Sequence, residues 1–262
     1  MGQTDFEFLR PLFDLVGSMA DDDDVADMSF GLGEPGSASP LARDDAGMEG
    51  VWVSMVAMHG ISAALDHVVA LRSLVIKAQE VTVNAPWTLL RGALEPAGVA
   101  LWILSGSNRD RRREHTLRVW VHDLVERQKW ERDTGLKPVA PAKSSHERIG
   151  DVHKLAKRLG LRPNQVATRL SYSQAVADAA ATVGWSRADA TARWREAAAF
   201  AHGRSWPLFH LTTAEDAEII RGGVGLRLTL NETRLGALAG LTLDILNGAV
   251  DALARLSLDG PD

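Results

Sequence analysis

The chain contains no cysteine. That excludes a disulfide framework, a thiol nucleophile and any cysteine-ligated zinc or iron–sulfur site, and it suits a reducing compartment. Tyrosine occurs once, and aromatic residues make up only 6% of the sequence, although eight of them are tryptophan. Uninterrupted apolar runs of the ~18 residues that a membrane span needs are also missing from the two most apolar stretches. Residues 87–105 are broken by Arg91, Glu95 and Pro96, and residues 51–76 by His59, Asp66, His67 and Arg72. The first ten residues, MGQTDFEFLR, are acidic without an apolar core, and Phe6 stands where a myristoylation signal needs Ser or Thr. These features predict a soluble, cytoplasmic protein with no membrane partner. A phosphate-binding glycine loop, a nucleophile elbow, a zinc motif and a dinucleotide fingerprint are all absent. No metal or cofactor is therefore expected.

What the chain does have is an ordinary globular composition, 45% hydrophobic and 24% charged over 262 residues, enough for one large or two small domains. Its net charge of −5 conceals an asymmetry. Residues 1–50 carry 12 acids and 2 bases, whereas residues 101–171 carry 16 bases and 8 acids. The basic third could meet phosphate, and the acidic arm could mask it.

Apolar periodicity and helix punctuation predict an all-α, multi-helix bundle of eight or nine helices. A short helix over Phe6–Val16 precedes an acidic, Gly/Ser/Pro-rich segment, residues 20–50, which is read as a flexible loop. Residues 51–262 form a single helical domain with a sub-boundary at 136–145. Helices are expected over 51–79, 84–104, 109–133, 145–159, 163–171, 173–183, 186–201 and 232–256. Many of the stops coincide with Gly135, Gly160, Gly184 and Gly203. Residues 213–221 read as a turn of helix, and 222–231 as the one strand-like alternation.

Several constellations carry chemistry. Arg91 and Glu95 lie four apart in an otherwise apolar helix, so they share a face and should pair. Arg91 is either a register-setting cation or the wall of a polar pocket. Arg111, His115, Arg118 and His122 form a basic stripe on the next helix, able to meet phosphate with forked donors. Further on, Arg195 and His202 are separated by seven residues, two turns or roughly 10 Å along one face. A second cation, Arg204, follows with Trp206. A guanidinium that fixes a phosphodiester, beside the side chain best suited to exchanging protons near neutrality, fits RNA cleavage through the 2′-hydroxyl.

At these residues the chain resembles the HEPN superfamily, small all-α proteins that include metal-independent ribonucleases and carry an Arg and a His four to six residues apart on a helix. Arg91–Glu95 (RGALE) and Trp194–Gly203 (WREAAAFAHG) carry the resemblance, over about residues 51–255. It implies that Arg195 positions phosphate, that His202 transfers protons, and that the protein is a homodimer binding RNA or a nucleotide. The residue after the arginine is Glu196, where the family usually has a small polar residue.

Two other readings stand beside this one. Residues 155–170 (LAKRLGLRPNQVATRL) place Ala156, Gly160 and Val166 at helix-turn-helix spacing within a segment, 142–171, of 7 bases and 2 acids. A DNA-binding regulator would read a groove with Asn164, Gln165, Thr168 and Arg169. A non-catalytic small-molecule or protein-binding module would instead use an aromatic cage of Trp194 and Trp206 beside His202.

Overall fold

The computed structural model describes residues 6–19, 35–79, 82–135 and 142–258. The linker expected at 136–145 lies outside them as far as residue 141, as does the acidic run 20–34. Among the described residues the chain is mostly helical. Its helices are α1 (Arg10–Met19), α2 (Pro40–Asp45), α3 (Val53–Arg72), α4 (Ala85–Leu104), α5 (Arg109–Thr134), α6 (Ser145–Arg158), α7 (Pro163–Val166), α8 (Tyr172–Thr182), α9 (Arg187–Ala201), α10 (Ser205–His210) and α11 (Glu232–Ser257).

Local chemistry explains the ends. Asn108 caps α5 by accepting from the Arg111 amide, and Gly135 closes it at φ 68°. Ser144 and Glu147 form a reciprocal capping box at the start of α6. Ser186 accepts from the Asp189 amide at the start of α9, and His202 is its C-cap.

Two expectations are corrected. Residues 213–221 are not helical: β1 (Thr212–Ile220) pairs antiparallel with β2 (Gly223–Leu230), with a bulge between Ala214 and Asp216. The cross-strand ladder with the β-branched and leucine-rich second strand outweighs the helix preference of the Ala and Glu residues in the first. The segment before residue 51 is also built in part. Ser39 caps α2 by accepting from the Ala42 amide at 3.1 Å, and Leu41, Asp44 and Met48 are buried.

The chain divides into two compact units, with boundaries inside α3, α4 and α11. One unit comprises 1–33, 60–101 and 172–251. Its core contains Trp87 stacked on Phe200, with ring centroids 4.5 Å apart. Helices come close where glycine removes a side chain. A Cβ on Gly60 would lie 2.8 Å from the Pro96 carbonyl oxygen, and one on Gly98 2.8 Å from Val176. The other unit comprises 34–59, 102–171 and 252–262. There α5 packs on α2, α6 and α7.

Two helical segments, Val53–Lys77 and Glu232–Ser257, are long and apolar enough to cross a membrane by length and composition alone. Of their apolar windows, 39% and 50%, respectively, is buried inside the molecule. The second was not among the stretches that the composition singled out.

Candidate functional site

Arg195 and His202 both lie on the exposed side of α9 and its C-cap. Seven residues bring the helix back within about 20° of the same direction, so the two side chains share a face, roughly 10 Å apart along the axis. Among the described residues neither side chain has a hydrogen-bond or ion-pair partner. Gly203, at φ 61°, turns the chain immediately after His202. Arg204 then precedes α10, and both Arg204 and Trp206 are exposed, the latter by 41%. Glu196 does not stand free beside Arg195. It pairs with Arg234 of α11 at 3.0 Å, which offsets its negative charge.

Arg91 and Glu95 form the expected pair, with Nε donating to Oε1 at 3.0 Å. The same carboxylate oxygen accepts from the Trp194 indole N–H at 2.8 Å, and the guanidinium lies 5.8 Å from the Trp194 ring centroid. Both charged side chains are about one-fifth exposed. The cluster ties α4 to α9 and fixes the helix that carries Arg195 and His202. The tie through Trp194 was missed in the sequence, because the residues stand 99 positions apart.

The stripe on α5 is not one continuous basic face. Arg111 is exposed and pairs with Glu114. His115 is buried, stacked on Trp102 with centroids 3.6 Å apart, its Nδ1 bonded to the Trp102 carbonyl at 2.9 Å. Burial pushes its pKa down to about 4, the bond to Trp102 opposing this and the nearby Arg111 and Arg118 adding to it. A neutral, enclosed imidazole does not serve as a phosphate-binding cation. Arg118 lies 5.1 Å from the Trp102 centroid and donates to the Arg169 carbonyl at 3.5 Å. His122 is half-buried.

Other cations of α5 hold the fold. Arg112 makes a two-point contact with the buried Asp44, Nε to Oδ2 at 2.5 Å and Nη2 to Oδ1 at 2.9 Å. Arg113 donates to the carbonyls of Asp44, Arg43 and Ala46. Part of the acidic N-terminal stretch thus neutralises part of the basic middle third.

At the helix-turn-helix candidate, Ala156 and Val166 are fully buried and Gly160 adopts φ 73°. The second helix, however, is α7, four residues long, where the sequence predicted 163–171. Asn164, Thr168 and Arg169 are exposed, but a single turn spans only ~6 Å. Among the described residues no group of three or more His, Asp or Glu side chains could hold a metal ion.

No family model matches the sequence, and neither does any curated protein or solved structure. The fold and these geometries therefore define a mostly helical protein, and its site rests on its own residues.

Proposed function

We propose that this chain binds RNA along α9 and α10 and cleaves it without a metal, as a HEPN-like ribonuclease. Arg195 and Arg204 contact phosphates, and His202 exchanges a proton with the reacting oxygens. The observation that carries the reading is the pair Arg195–His202: one helix face, both exposed, neither engaged by another described side chain.

In the proposed step the 2′-hydroxyl oxygen attacks the adjacent phosphorus. The 5′-oxygen–phosphorus bond breaks, leaving a 2′,3′-cyclic phosphate and a 5′-hydroxyl. His202 takes the proton from the attacking oxygen or gives one to the leaving oxygen, and water handles the other transfer. Arg195 offsets the charge that develops on the phosphorane oxygens. A homodimer would let Arg195 of one copy and His202 of the other meet a single phosphodiester.

Binding is tested by fluorescence anisotropy of a labelled single-stranded RNA over a salt series. Affinity that falls steeply with salt, and falls further in Arg195→Ala, supports the reading. Salt-independent binding, or equal binding by wild type and variant, removes it.

A further inference from the structure

A second site lies within the unit that contains α5 and α6. The loop at residues 49–51 and the facing sides of α5 and α6 line an open pocket of about 660 Å³, within the range of small-ligand sites. Its cations are Arg127, Lys143, Arg148, Lys154 and Arg158, and its aromatic wall is Trp120. Residues 148, 151, 155 and 158 recur at helical spacing, so one face of α6 lines the site.

The charges do not cancel. Arg158 is matched by Glu49 at 2.5 Å, and Arg127 by Glu131 at 3.0 Å. Lys143 and Lys154, by contrast, share the single carboxylate of Asp151, at 2.5 and 3.4 Å. Arg148 has no carboxylate partner among the described residues. Its guanidinium lies 5.7 Å from the Trp120 ring centroid, and its N–H donors have no acceptor among the described residues. Glu147 also lies within electrostatic reach of Lys143, so among the described residues the excess is one positive charge, at Arg148. Fixed cations in a concave, partly apolar site select an anion of matching charge, and a planar guanidinium suits the oxygens of phosphate.

We propose that this pocket binds a nucleoside 5′-phosphomonoester. The phosphate dianion is held by Arg148, Lys143 and Lys154, and the base packs on the wall formed by Trp120. The ligand is either a free nucleotide or the 5′-phosphorylated end of an RNA. The site shares no residue with Arg195 or His202, so it stands or falls separately from the ribonuclease reading.

Isothermal titration of the full chain with AMP, adenosine and 5′-phosphorylated or 5′-hydroxyl trinucleotide tests it. AMP or the phosphorylated trinucleotide should bind at least about tenfold more tightly than its unphosphorylated counterpart, the size of one charge-assisted hydrogen bond. Whichever of the two binds identifies the source of the phosphate. Arg148→Ala and Lys143→Ala should each lower that affinity, with thermal melts confirming that both variants fold. Equal binding of AMP and adenosine, no binding of either phosphorylated probe, or undiminished binding by folded Arg148→Ala overturns the proposal.

Discussion

His115 lies flat against Trp102, its ring 8° from parallel and its centroid 3.6 Å away. The imidazole is kept neutral chiefly by burial, with a pKa near 4 in place of 6.5. In the unfolded chain His115 takes up its proton around pH 6.5, but in the folded chain only near pH 4. The unfolded state binds more protons between those values, so stability is complete above pH 6.5 and declines toward pH 4. The upper bound on this contribution is about 3 kcal/mol. Urea unfolding at pH 7.5 and pH 5 should show the loss, and His115→Phe, which retains a stacked ring but cannot titrate, should flatten the difference. An unchanged slope in that variant would place the pH sensitivity elsewhere.

Asp44 is 1% exposed and holds Arg112 by two bonds, while Arg113 reaches the neighbouring carbonyls. Asp44→Ala strands a mostly buried guanidinium, which costs about 3–5 kcal/mol. Chemical denaturation should register that loss. Glu49→Ala breaks only an exposed pair with Arg158 and should change stability by at most about 1 kcal/mol.

Gly60 and Gly150 make opposite predictions for the same substitution. At Gly60 a methyl group would meet the Pro96 carbonyl at 2.8 Å and the Ala100 Cβ at 3.2 Å. Backbone cannot yield there as a flexible side chain would, and overpacking of about 1–3 kcal/mol outweighs the ~1 kcal/mol gained from helix propensity. Gly150 lies in α6 with nothing within 4 Å. Thermal melts should show Gly60→Ala below wild type and Gly150→Ala at or above it.

Glu95 receives both the Arg91 guanidinium and the Trp194 indole on one oxygen. Glu95→Ala should cost about 1–3 kcal/mol, because it leaves both donors without their acceptor. In a double-mutant cycle with Trp194→Phe the two losses should sum to more than the double variant's loss, as for residues in contact. Strict additivity would show that the contact contributes nothing.

Local signals were readable along the chain. The end of α5 at Gly135, the stop at Gly203, the Arg91–Glu95 pair and the alternation of β2 all follow from spacing or from the conformational needs of a few residues. Long-range relationships were not. The first strand, rich in Ala and Glu, becomes a strand through its partner. Asp44 and Arg112 stand 68 residues apart, so an acidic loop and a basic helix gave no sign of interlocking. The pocket walled by Trp120 and Arg148 depends on α5 and α6 lying side by side, which neither helix encodes alone. For His115, spacing placed the ring on one stripe with Arg118, and only the stacking on Trp102 reveals that it is enclosed.

The central claim is that His202, exposed at the end of α9, takes part in breaking RNA. The most direct measurement is cleavage of an end-labelled RNA in EDTA, beside the same RNA carrying one 2′-deoxy substitution, by wild type and His202→Ala. The account predicts fragments ending in a 2′,3′-cyclic phosphate with wild type, none at the deoxy position, and a rate at least about a hundredfold lower in the variant. Intact RNA with wild-type protein, or equal cleavage by wild type and His202→Ala, would contradict it.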